Sequence, residues 1–178
     1  MSRSTMLFKF MSYSFFLNLI FLLLELSPYP VRINIFRLLL GKLGNAPLID
    51  YGTYFRYPRK IKIGNNVAIN RGCELYAAYL AKGGTITIGN NVALGPHVKI
   101  FAGGHDYCTT DLVVTAGPVV IKDFVWVGGN TTILPGVLVG EGVVIGAGSV
   151  VTQDIPPYTV ATGNPCRVIK SRVLPHQK

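Results

Sequence analysis

The sequence predicts a mainly β chain: a parallel β-helix preceded by an apolar helical segment. Three observations lead there. Residues 121–151 repeat every six, with an aliphatic residue leading each hexad: Ile121, Val127, Ile133, Val139, Ile145 and Val151. Four places after the leads stand Val125, Thr131, Val137, Val143 and Ser149, and Gly follows the lead in three of the five hexads. Hydrophobic residues make up 49% of the 178, alongside 20 Gly, which suits a stacked apolar prism better than a soluble α/β domain. A helix tolerates glycine this dense poorly, at roughly 1 kcal/mol for each interior Gly. A flat amphipathic strand repeats at two and needs no Gly every sixth residue. Period six with Gly and Asn at the corners fits a short strand, a bend and another short strand. Three such sides close a triangular coil, and Gly and Asn accept the left-handed backbone of its corners.

The first segment is 1–45. Within it, residues 6–26 read MLFKFMSYSFFLNLIFLLLEL, about the length that spans a bilayer. Ser14, Asn18 and Glu25 share a narrow helical face, which favours lying in a membrane interface over crossing it. Burial within an oligomer or against the solenoid is the other expectation. No small-residue cleavage site follows, as a signal peptide would need. Pro28 and Pro30 break the helix. A second short helix is expected over 31–43, with Arg32, Arg37 and Lys42 available to lipid phosphates and Gly44 and Asn45 ending it.

The β-helix domain is expected over 46–170. Its six-residue phase begins at Tyr51 and runs through Tyr57, Ile63, Ile69 and Leu75, with Phe55, Ile61, Val67 and Cys73 at the fifth positions. The aromatic early hexads read as a capping coil. Arg56, Arg59, Lys60 and Lys62 form a basic cluster that faces lipid, an acidic acceptor or solvent. Residues 76–84 break the phase. It resumes at Ile88, Leu94 and Ile100, then breaks again at 101–118, a loop pushed out of a coil corner, where function often sits. Roughly five coils are expected. Residues 156–170 close the prism and 171–178 form a basic tail.

The net charge of +9, from 17 basic and 8 acidic residues, suits a polyphosphorylated co-substrate or an anionic membrane. No aromatic-plus-basic nucleic-acid motif is visible, so nucleic acid is not an expected partner. The three Cys, at 73, 108 and 166, show neither a disulfide framework nor zinc spacing, which fits a reducing compartment. Of the three His, His176 lies in the tail and His97 in LGPHVK reads as a corner residue. His105 stands in the extruded loop between Gly-Gly and Asp106. A histidine there is suited to take a proton from a sugar hydroxyl or amine, and Asp106 is the nearest group to orient it.

GGHDY, VWVGGNTTILPGV, GAGSVVTQDIPP and GNPCRVIK resemble the hexapeptide-repeat acyltransferases, closest to the maltose, galactoside and colanic-acid O-acetyltransferase branch. The resemblance covers roughly 60–170. It implies a left-handed coil, against the usual right-handed crossover preference. It implies acetyl-CoA as co-substrate with no metal, and a homotrimer with active sites between subunits. His105 takes the place of the catalytic base. Asn70 falls at the acceptor-side Asn after the first IGNN hexad, and Trp126 lies beside the groove. The coenzyme A contacts fall on Gly129, Ala147, Thr152, Gln153, Arg167 and Lys170. Two departures stand out. No acceptor-binding Asp follows Asn70 in RGCELYAAYLAKGG, and Gln153 replaces a common Lys.

The activity implied is O-acetylation of a sugar hydroxyl on a glycan or lipid-linked sugar, at the cytoplasmic face of the cytoplasmic membrane. N-acylation of an amino sugar or nucleotide-sugar would use the same base, and a non-catalytic solenoid is the third reading. A zinc carbonic anhydrase on this scaffold needs three His ligands, more than His97 and His105 supply. A covalent route through Cys108 lacks any neighbour that would activate the thiol.

Overall fold

The computed structural model describes residues 3–79 and 82–174, as two units, Met1–Ile35 and Phe36–Lys178. Residues 175–178 of the predicted tail, His176 among them, lie outside the described residues.

In the first unit, α1 runs over Arg3–Glu25. Leu17, Phe21 and Leu24 are its buried stripe, spaced four and three residues apart as helical geometry requires. Met11, Phe15, Leu19, Leu22 and Leu26 lie on the other side and are exposed. The expected polar face, Ser14–Asn18–Glu25, flanks these two apolar surfaces. No helix among the described residues is long and apolar enough to cross a membrane. Pro30 stands in the first turn of α2, Tyr29–Leu39, where its missing N–H costs nothing. Arg32 corrects an expectation: it is only 1% exposed and is placed in the interior, not against lipid.

The helix expected to reach residue 43 ends at Leu39, because Lys42–Leu43 is already a strand. The coils begin there. Coil one is β1 (Lys42–Leu43), β2 (Leu48–Ile49) and β3 (Tyr54–Arg56); coil two is β4 (Ile61–Ile63), β5 (Ala68–Ile69) and β6 (Glu74–Tyr76); coil three is β7 (Ile86–Ile88), β8 (Ala93–Leu94) and β9 (Lys99–Phe101). A hairpin of β10 (Gly103–His105) and β11 (Val114–Ala116) interrupts. Coil four is β12 (Val119–Ile121), β13 (Trp126–Val127) and β14 (Thr132–Ile133); coil five is β15 (Leu138–Val139), β16 (Val144–Ile145) and β17 (Val150–Val151). A closing pair, β18 (Thr159–Thr162) and antiparallel β19 (Arg167–Ser171), caps the end. Equivalent strands stack in parallel into three faces: A from β1, β4, β7, β12 and β15; B from β2, β5, β8, β13, β16 and β18, with β19 added antiparallel at its end; C from β3, β6, β9, β14 and β17.

The period-six leads and fifth-place residues of 121–151 are all buried, with Val127, Ile133, Val139 and Val151 at 0% exposure. The two buried hydroxyls are satisfied: Thr131 donates to the Gly128 carbonyl at 2.7 Å and Ser149 to that of Gly146 at 2.6 Å. Before residue 61 the expected frame is wrong. The inward residues are Ile49 and Phe55, while Tyr51 and Tyr57 are half-buried corner residues. A 3-10 turn at Pro58–Lys60 inserts two extra residues between Phe55 and the lead at Ile63, so the frame read backward from Ile63 arrives two positions late.

Candidate active site

All three interruptions of the repeat fall on one edge of the prism, between faces C and A: the turn at 57–60, the excursion at 77–84 and the hairpin at 102–117. The hairpin is rooted by Ala102 N–H donating to Tyr76 O at 2.9 Å, and Gly117 N–H to Ala102 O at 3.2 Å. Expected as a loop, 101–118 is a paired ribbon that holds His105 opposite Val114. His105 is exposed, and its Nδ1 lies 2.7 Å from Leu112 O. A carbonyl only accepts, so we assign the proton to Nδ1 and the lone pair to Nε2. That is the tautomer a general base needs. Leu112 has φ 51, a left-handed conformation that a branched side chain adopts at a cost of about 1 kcal/mol. That strain presents the carbonyl to His105. Asp106 does not orient the imidazole as expected. Its Oδ1 accepts from Cys108 N–H at 2.8 Å and its own N–H donates to Val113 O at 2.8 Å, so it ties the ribbon's end.

The other predicted residues divide between edges. Asn70 follows β5 at the edge between faces B and C, its Nδ2 donating to Leu94 O at 2.7 Å. Gly129 and Ala147 lie two and three coils further along that same edge, and Arg167 begins β19 just past it. Backbone meets backbone there: a Cβ on Gly95 would lie 2.5 Å from Gly129 N, and one on Gly128 2.5 Å from Ala147 N. Beside Ala147 the edge opens, for a Cβ on Gly148 would meet nothing within 4 Å. From Asn70 to the turn after β18 is four strand spacings, about 19 Å. His97 has φ 58 and is the corner residue expected, its ring filling the space a Cβ on Gly72 would need.

Thr152 and Gln153 follow β17 at the C–A edge, the side of the His105 hairpin. Trp126 stands outward on face B between Ala93 and Val144 and is 57% exposed, so it is not a core-packing residue. Lys170 is exposed on β19 opposite Val160, and Arg167 donates to Cys166 O at 2.8 Å. Sequence reasoning missed the part played by Leu112. Its contribution is a backbone carbonyl, which no side chain announces. Among the described residues no group of His, Cys, Asp and Glu could hold a metal ion.

Residues 118–153 match the family model for the bacterial transferase hexapeptide, six repeats. The chain is 45% identical over 117 residues to a putative acetyltransferase of Staphylococcus aureus, a match spanning 64% of this chain and 56% of that relative's length. It is 36% identical over 142 residues to the galactoside O-acetyltransferase of Escherichia coli, covering 78% of this chain and 68% of that one. Among solved structures, a maltose O-acetyltransferase from Clostridium difficile superposes with a TM-score of 0.80 at 38% identity, covering 89% and 86% of the two chains. A hexapeptide-repeat acetyltransferase from Vibrio cholerae, complexed with acetyl coenzyme A, superposes at 0.79 and 31%, covering 87% and 84%. The chain belongs to the hexapeptide-repeat acetyltransferases, and its coil is the family's left-handed parallel β-helix.

Proposed function

We propose that the protein transfers an acetyl group from acetyl-CoA to a hydroxyl of a sugar in a glycan or lipid-linked precursor. The observation that carries this is His105 on the paired ribbon, its Nδ1 2.7 Å from the Leu112 carbonyl, which leaves Nε2 as the assigned base. Its Nε2 takes the acceptor's hydroxyl proton, and the oxygen attacks the thioester carbonyl. The Gly128 N–H is committed to Ile145 O at 2.8 Å, so the Gly129 N–H is assigned to the oxyanion. The carbon–sulfur bond breaks, and the departing thiolate recovers the proton from the imidazolium. Gly129 and Ala147 line the path of the pantetheine arm, Arg167 and Lys170 beside that strip receive its phosphates, and Thr152 and Gln153 reach the co-substrate from the hairpin edge of the neighbouring prism.

The working unit is a homotrimer. Support comes from the division above: the strip of Asn70, Gly129 and Ala147 and the hairpin of His105 stand at opposite ends of face C in a single chain. The hairpin's tip also leaves Tyr107 96% exposed, with Leu112 and Val113 exposed beside it. A neighbouring prism would cover that tip and bring its own strip to His105. The exposed apolar side of α1 supports a place on the inner face of the cytoplasmic membrane. N-acylation remains a competing chemistry on the same base, and amino sugars belong in the acceptor panel. A coupled thiol-release assay over that panel tests the proposal. Wild type should release CoA with a sugar acceptor, and His105→Ala should lose on the order of a hundredfold or more with its circular dichroism unchanged. Near-normal turnover in the variant would end the mechanism.

A further inference from the structure

The closing strand β19 carries both cations assigned to the coenzyme A phosphates, and it is thinly held. All five of its residues, Arg167–Ser171, are exposed, and among the described residues β18 is its only strand neighbour. Their ladder is broken by a register shift between Val160 and Ala161. Arg167 pairs with Thr162 and Val168 with Ala161; Lys170 pairs with Val160 and Ser171 with Thr159. Ile169 is the extra residue, so a bulge separates Arg167 from Lys170. A strand with exposed side chains and an interrupted ladder stands at the low end of local stability.

The two ends of β19 are tied differently. At the Arg167 end, Cys166 is buried and its N–H donates to Val150 O at 2.8 Å. Past the Lys170 end stands Arg172. Its N–H donates to Tyr158 O at 2.7 Å, and its Nη1 donates to Gly142 O at 2.7 Å and to Phe124 O at 3.3 Å. Tyr158, Gly142 and Phe124 are left-handed corner residues on the edge between faces A and B, with φ 51, 66 and 60. They belong to successive turns, so the guanidinium lies along that edge. A Cβ on Gly142 would lie 2.7 Å from the Tyr158 ring, which therefore occupies the space the glycine leaves. The Tyr158 hydroxyl donates to the Glu141 carboxylate. A guanidinium holds several acceptors in a fixed fork, and its charge strengthens each bond.

Arg167 begins β19 beside the edge between faces B and C, and Arg172 stands at the opposite edge of face B. Five residues of extended chain separate them, roughly 17 Å. That span sets Arg172 apart from Gly129 and Ala147.

We infer that Arg172 is a positioning residue for the co-substrate. It clasps the far end of β19 to the edge between faces A and B, and so holds the Lys170 ammonium in place for a phosphate of coenzyme A without touching the co-substrate itself. The inference rests on the reading of Arg167 and Lys170 as the phosphate contacts. A strand ordered before binding leaves less conformational freedom to be lost when the ligand arrives. Because the bulge lies between the two cations, Arg172 acts on Lys170 and not on Arg167.

The test uses the full chain and needs no acceptor. Calorimetry compares CoA with pantetheine, which lacks the phosphates. Wild type should bind CoA more tightly. Arg172→Gln should weaken CoA about five- to tenfold and leave pantetheine within about twofold. A double-mutant cycle locates the effect: Arg172→Gln should add little to Lys170→Ala and keep its full effect beside Arg167→Ala. Amide exchange over 168–171 should quicken in Arg172→Gln. Equal weakening of CoA and pantetheine would make the role structural and overturn the inference. Weakened CoA with unchanged exchange would make Arg172 a direct phosphate contact, and would overturn it too. If Lys170→Ala weakens CoA and Arg172→Gln does not, the inference falls and the phosphate reading stands. Wild type that binds CoA no more tightly than pantetheine removes the phosphate reading and the inference with it. Should Arg172→Gln not fold, Arg172→Lys keeps the charge and loses the fork, and the same split between CoA and pantetheine decides.

Discussion

The edge between faces A and B and the edge between faces C and A are made of the same chain in the same coils, yet only one is regular. Along the A–B edge each coil hands a hydrogen bond to the next. Asn45 N–H donates to Asn65 Oδ1, Asn65 N–H to Asn90 Oδ1 and Asn90 N–H to Asp123 Oδ1, at 2.9, 2.9 and 2.8 Å. Its corners leave no room for a side chain: a Cβ on Gly44 would lie 2.4 Å from Gly64 O, and one on Gly64 2.4 Å from Gly89 O. Among the described residues the C–A edge carries no such ladder, and all three interruptions fall on it. A solenoid needs its corners to stack for stability, and the interruptions fall on the edge where that stacking is given up. One edge holds the coils in register and the other carries the hairpin, the excursion and their charges.

Substitutions sharpen that contrast. Gly64→Val should destabilise the prism by about 3 kcal/mol, lowering the melting temperature on the order of 10 °C, because the obstructing atoms are backbone. Gly104→Ala on the hairpin, whose nearest neighbours would be 3.9 Å away, should stay within about 0.5 kcal/mol by thermal melting. Equal losses would remove the distinction between the edges. Leu112→Pro cannot adopt φ 51, so it should withdraw the carbonyl from His105 and lower turnover roughly tenfold or more without lowering the melting temperature, whereas Leu112→Gly keeps both. The thiols separate the same way. Burial pushes the Cys73 thiol up to about 11 and raises that of Cys166, while Cys108 is exposed on the hairpin. A thiol reagent should therefore modify Cys108 alone in the native protein, and Cys108→Ser should retain turnover; a large loss would revive the covalent route.

The smallest effect belongs to the ladder's end. Asn90 donates to Asp123 from its side chain and backbone and holds that carboxyl below the usual range. A depressed folded value means the ladder's contribution is full above the unfolded value, near 4, and fades as pH falls through the folded one. Melting followed from pH 6 down to 3 should show Asp123→Asn losing less with acid than wild type. Parallel curves would mean the carboxylate adds nothing.

Much of this was legible because period six is a direct image of the coil. The inward residues of 121–151, the corner role of His97 and the break that exposes His105 all follow from it. What was not legible arises where the period is locally violated or where backbone does the work. The 3-10 turn at Pro58–Lys60 adds two residues without an obvious Gly or Asn signal, so the aromatic frame at Tyr51 and Tyr57 looked inward when Ile49 and Phe55 are. Arg32 carries a charge that composition assigns to a surface, and the fold buries it. Asp106 is adjacent to His105 in sequence, but neighbouring side chains on a strand point to opposite faces, and the orienting oxygen comes from Leu112 across the ribbon.

Complementation between two variants bears most directly on the claim that the hairpin edge of one chain works with the Asn70 edge of another. His105→Ala and Asn70→Ala would each be purified as homomers, then co-expressed and isolated as mixed trimers through different tags. The account predicts low thiol release from either homomer and recovery in the isolated mixed trimers to roughly a third of the wild-type value, since each trimer holding both variants has one interface of three with both residues intact. Mixed trimers no more active than the homomers would contradict it, and would place His105 and Asn70 in a site built by a single chain.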